Sequence, residues 1–65
     1  MKGEFRVEFK AVGSTLDWSY DNEFDSLGEA MTYATEETLK CPEVSHRITR
    51  RVEVMTFPAI DEVLK

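Results

Sequence analysis

Cysteine occurs once, at Cys41, and histidine once, at His46. One thiol excludes an internal disulfide. One thiol and one imidazole fall short of the three or four nitrogen and sulfur ligands that a usual zinc site needs. Glycine is used three times and proline twice, and no glycine-rich phosphate loop or calcium-loop spacing occurs. No apolar run is long enough for a membrane span or a signal peptide. Basic residues are scarce, 8 against 13 acidic ones for a net charge of −5, so the footprint of a general nucleic-acid binder is missing. A Cys41–His46 pair would need a third orienting group and an oxyanion loop, and the chain offers neither. Cys41 therefore reads as a small apolar residue. These absences predict a protein with no catalytic residue, no metal and no cofactor. The chain opens on Met1 with no tag, and an intact cytoplasmic protein is expected.

Sixty-five residues make one domain. A chain this short hides only about 60% of the surface its unfolded form exposes, so its core is marginal and a partner would help it. One long helix is written between Phe24 and Pro42. Ser26 and Glu29 form a capping box, Asp25 and Glu29 place negative charge at the positive end of the helix dipole, and Pro42 ends the ladder. Leu27, Ala30, Met31 and Ala34 recur at the helical period, and Thr38 and Cys41 extend the stripe.

Ahead of the helix, Phe5, Val7, Phe9 and Ala11 alternate with Glu4, Arg6, Glu8 and Lys10, which predicts a strand with one apolar face. Gly13-Ser14 is a turn signal. Leu16, Trp18, Tyr20 and Phe24 then alternate with Asp17, Ser19, Asp21 and Glu23, completing a hairpin. Behind the helix, Ile48, Val52 and Val54 share one parity with Arg50. Arg47, Thr49, Arg51 and Glu53 share the other with Met55 and Phe57. Arg50 interrupts the apolar face, either by snorkelling at a strand end or because a bulge re-aims the chain.

The expected fold is α+β, in β-β-α-β order, with a three-stranded antiparallel sheet of order 2-1-3. The helix covers the aromatic face, and the face with Glu4, Arg6, Glu8, Lys10, Asp17, Ser19, Arg47, Thr49 and Arg51 stays open. Strands two and three are then the edges. Residues 1–57 form the domain. Residues 58–65 form a tail or short helix, with Pro58 suited to a first turn. That tail docks on the body, docks on another copy, or frays.

Charge is segregated. From Asp17 to Glu43 there are eight acids and one base, Lys40; from Val44 to Val52 there are three arginines and no acid. Such a dipolar surface steers toward a partner of opposite layout. The partner-binding candidates are Arg47, Arg50 and Arg51 on one side and Asp25, Glu29, Glu36 and Glu37 on the other. The competing reading is a solvated acidic helix beside arginines paired with Glu8 or Glu53.

Two segments, Ser26-Leu27-Gly28-Glu29-Ala30-Met31-Thr32-Tyr33-Ala34 and Ile48-Thr49-Arg50, resemble the short phage-encoded inhibitors of bacterial RNA polymerase. In layout the chain is also similar to phage antitoxins that block host defence nucleases. The resemblance implies a host-takeover protein in the host cytoplasm that binds and inhibits a host protein, RNA polymerase or a defence factor. In the polymerase inhibitors an acidic strip and two arginines on the late strand make the contact. Arg50 matches the first arginine, and the second falls on Val52, beside Arg51.

Two other functions compete. Apolar groups off the helix face, Met55, Phe57, Ile60, Val63 and Leu64, suit a homo-oligomer, joined through an edge strand or the tail, that is structural or sequesters a small ligand. Single-stranded nucleic-acid binding would need aromatics on the open face, whereas the alternation puts them beneath the helix.

Overall fold

The computed structural model describes residues 4–50 and 52–63. The elements run β1 (Phe5–Ala11), β2 (Ser19–Phe24), α1 (Leu27–Lys40), β3 (Val44–Arg50), β4 (Val52–Phe57) and α2 (Ile60–Val63). The architecture is α+β. The sheet is antiparallel with four strands in the order β2-β1-β3-β4, one more than the alternation predicts. The run read as a single third strand doubles back between Arg50 and Val52, so Arg50 faces Val52 and Thr49 faces Glu53. Nothing in Thr49-Arg50-Arg51-Val52 supplies the glycine, proline, asparagine or aspartate that marks a turn. What β4 brings to the sheet is apolar: Met55 opposite Ile48, and Phe57 packed against the core. The edges are consequently β2 and β4, and β3 lies inside. Arg50 ends β3, as the strand-end reading requires, and the bulge lies across from it: Ile48 pairs with Met55 and Thr49 with Glu53, leaving Val54 surplus on β4.

The first hairpin turns at Gly13. Its φ of 78° is left-handed backbone that glycine adopts without a steric penalty, and the Ser14 N–H donates to the Ala11 carbonyl at 3.1 Å. The helix starts as its cap predicts: Ser26 Oγ accepts from the Glu29 N–H at 3.2 Å. The box closes differently from expectation, with the serine hydroxyl donating to the Glu29 carboxylate at 3.3 Å.

The core lies between α1 and the middle strands. Val7, Ala30, Ala34 and Ile48 are fully buried, with Phe5, Phe24, Leu27, Tyr33 and Phe57 packed around them. The two alanines let the helix backbone lie close on β1 and β3. Met31, expected in the core, is exposed. The helix is rolled so that Tyr33 turns inward instead, its hydroxyl meeting Asp21 beneath the helix, while Ala30, Ala34 and Thr38 are buried as the stripe predicts. Met55 and Phe57 sit opposite Ile48 and His46, so the parity predicted for them is reversed and they belong to the helix side. Phe9 keeps the face of Val7 but stays 37% exposed, its neighbour across β2 being the small Ser19.

After β4 the chain returns over the sheet end. Ala59 is buried, its N–H donates to Ser45 Oγ at 2.9 Å, and the Asp61 N–H donates to the Pro42 carbonyl at 2.9 Å. The single turn of α2 exposes Val63. Arg51 and Leu64 lie outside the described residues.

Candidate functional site

The β1–β2 register decides what the open face carries. Phe5 pairs with Phe24, Arg6 with Glu23 and Val7 with Asn22, and then Glu8 pairs with Tyr20 and Phe9 with Ser19. Asp21 is the surplus residue of a β-bulge. From that point toward its N-terminus β2 presents opposite faces to those its alternation predicts. Tyr20 therefore lies on the face of Glu8, and Trp18 follows it. The prediction that both rings lie beneath the helix is corrected by this one extra residue. On β1 the predicted parity is the observed one: Val7 is buried and Arg6 faces out.

The resulting surface interleaves arginines, carboxylates and rings. The Arg47 guanidinium lies 4.6 Å from the centre of the Trp18 ring and its Nε donates to Glu8 Oε1 at 2.8 Å. Arg6 lies 5.6 Å from the centre of the Tyr20 ring, between Glu23 at 3.6 Å and Glu8 at 3.9 Å. Each guanidinium is thus held by a ring face and by carboxylate, which uses up rotamer freedom before any partner arrives. Tyr20 is 55% exposed, and Trp18 and Arg47 are half-buried. Next to Trp18, a cleft of about 310 Å³ opens between Lys10, Thr56, Pro58 and Glu62.

The predicted contact residues do not gather into one patch. Arg47 belongs to the open face. Arg50 belongs to the opposite side, where it pairs with Glu4 and lies 5.5 Å from the Phe5 ring centre. Asp25, Glu29 and Glu36 are exposed on or beside α1. Glu37 is half-buried and pairs with Lys40 at 3.4 Å. Trp18 and Tyr20 went unrecognised as candidates because nothing local marks the bulge. The available signal was Asp21 itself, an acid that regular pairing would set across from Glu8.

Beneath the helix a polar cluster replaces part of the expected apolar core. His46 is buried, and its Nδ1 lies 3.1 Å from Thr38 Oγ1. The Thr38 hydroxyl donates to the Ala34 carbonyl at 2.7 Å, which leaves its oxygen to accept from His46 Nδ1–H. His46 Nε2 faces Asp21 Oδ2 at 3.8 Å, and the Tyr33 hydroxyl donates to Asp21 Oδ1 at 3.0 Å. Burial drives the His46 pKa below its ordinary 6.5, against the pull of Asp21 and Glu37. Burial, helped by the hydrogen bond to Asp21 and by its charge, pushes Tyr33 up to about 12. His46 is thus committed to Thr38 through Nδ1, and its Nε2 faces the Asp21 carboxylate without a hydrogen bond. Among the described residues no group of three or more His, Cys, Asp and Glu side chains could hold a metal ion, and no helix is long and apolar enough to cross a membrane.

No protein-family description, curated protein or solved structure matches this chain.

Proposed function

We propose that this chain is a small non-enzymatic binding protein that engages another protein with the open face of its sheet. The observation that carries the reading is the pair of arginine-stacked rings, Arg47 on Trp18 and Arg6 on Tyr20. Tryptophan, tyrosine and arginine are the residues that most often dominate protein interfaces. A guanidinium stacked on a ring still offers the edge of its fork to a partner's carboxylate. The molecule measures 38 × 22 × 15 Å, so one broad side can supply the roughly 800 Å² that each partner of a standard interface buries. The acidic side of α1, with Asp25, Glu29 and Glu36, gives the charge asymmetry that orients approach. The resemblance to phage inhibitors makes a host protein, RNA polymerase or a defence factor, the first partner to try, with binding as the means of inhibition.

The test compares proteins captured from bacterial lysate by the wild type, by Arg47→Glu with Trp18→Ala, and by Glu29→Lys with Glu36→Lys. A partner retained by the wild type and lost by the first double variant supports the reading. An identical set from both confines the arginine-aromatic face to stability and ends it.

Single-stranded nucleic acid is the second reading, because the bulge brings two rings to the open face, where bases can stack. Its signature is an oligonucleotide affinity that falls steeply with salt. No binding at low salt would dismiss it.

A further inference from the structure

We infer that Asp21 is the positioning residue of the open face: by holding the bulge in β2 it keeps Trp18 and Tyr20 on the sheet side that faces away from α1. The inference concerns the free protein; only its consequence for binding rests on the function proposed above.

Two registers compete for β2. With Phe5 opposite Phe24, regular pairing would carry Tyr20 to Phe9 and Asp21 to Glu8. Trp18 and Tyr20 would then join Phe24 on the helix side, as their alternation dictates. That register gains an unbroken ladder, and it moves two large rings off the open face. The observed register gives up one ladder position at Asp21. Three things favour it. Asp21 escapes a like charge directly opposite, an arrangement that destabilises antiparallel pairs. Arg47 and Arg6 acquire their rings. The Asp21 carboxylate turns under the helix, where the Tyr33 hydroxyl donates to it at 3.0 Å and His46 Nε2 lies 3.8 Å away. Its side chain is only 23% exposed there, and a carboxylate so placed needs the hydrogen bond from Tyr33. Tyr33 from α1 and His46 from β3 therefore meet on the one residue that regular pairing would leave on the other face.

Asp21→Ala deletes both the anchor and the charge that disfavours regular pairing, and so tips the balance toward it. Deletion of Asp21 behaves oppositely. It removes the surplus residue, so Tyr20 stays opposite Glu8 in an unbroken ladder and both rings keep the open face. A change that merely weakened the fold would not separate these two variants.

The measurement is the cross-strand register by NMR, with NOEs between Trp18, the only tryptophan, and Arg47 as the side-chain marker. The expected result is that Asp21→Ala loses the Trp18–Arg47 NOEs and moves Tyr20 opposite Phe9, while the deletion keeps the NOEs and the Glu8–Tyr20 pairing. Should Asp21→Ala not fold, Tyr33→Phe removes one anchoring hydroxyl, and weakened Trp18–Arg47 NOEs are expected. Unchanged NOEs and register in whichever of these two variants folds would overturn the inference. Capture from lysate by the same variants separates the two claims. A flipped register with an undiminished partner defeats the proposed function and leaves the role of Asp21 standing.

Discussion

At the residue scale the cluster of Asp21, Tyr33, Thr38 and His46 governs how the protein responds to pH. His46 has a folded pKa below 6.5 because it is buried, with Asp21 and Glu37 opposing. The unfolded chain takes up the proton first, so the stability His46 contributes is complete above its unfolded pKa and is lost as pH falls toward the folded one. Urea midpoints should decline as pH falls below about 6.5, the ordinary histidine value, and His46→Asn should flatten that decline. Tyr33 has the opposite sign. Its pKa is raised from 10.0 to about 12, so its contribution is complete below 10 and is lost as pH rises toward 12. Tyr33→Phe leaves the half-buried Asp21 carboxylate short of a donor. It should cost about 1–3 kcal/mol at neutral pH and remove the alkaline loss, both read from denaturant melts.

At the scale of elements the helix is set by its cap and held by close approach. Ser26→Ala removes the oxygen that accepts from Glu29 and should cost about 0.5–2 kcal/mol in thermal or urea unfolding. Ala34 is fully buried against the sheet, so Ala34→Leu should overpack the contact and destabilise by about 1–3 kcal/mol. Met31→Ala, at an exposed position, should change little by comparison. The helix ends were legible in Ser26, Glu29 and Pro42 because capping is local chemistry. Its roll was not, since Met31 gives way to Tyr33, whose hydroxyl finds Asp21 on another strand. The fourth strand was hidden for a related reason: the reversal after Arg50 uses none of the residues that announce a turn.

At the scale of the whole molecule the apolar surplus that suggests self-association is largely absorbed by the fold. Met55 and Phe57 face the helix side of the sheet, and Ala59 docks the tail through Ser45. Sedimentation should therefore give a particle of 7.5 kDa. A stable dimer that Val63→Glu dissociates would restore the homo-oligomeric reading. Ala59→Asp should undock residues 58–63 and lower the melting temperature, because it buries a charge with no partner. The charge layout was legible from composition along the chain. Which arginines share a surface was not: Arg47 and Arg50 are three residues apart and lie on opposite faces of the sheet.

The linear chain by itself determined the α+β class, the capped helix, the first hairpin, the neighbours of β1 and the outward face of Arg6 and Glu8. Each follows from period, cap or turn chemistry acting over a few residues. Tertiary structure alone decided the fourth strand, the roll of α1 and the face on which Trp18 and Tyr20 stand. The last turns on one surplus residue in β2. A strand's alternation states which side chains go together, and only pairing with its neighbour states which side of the sheet they go to.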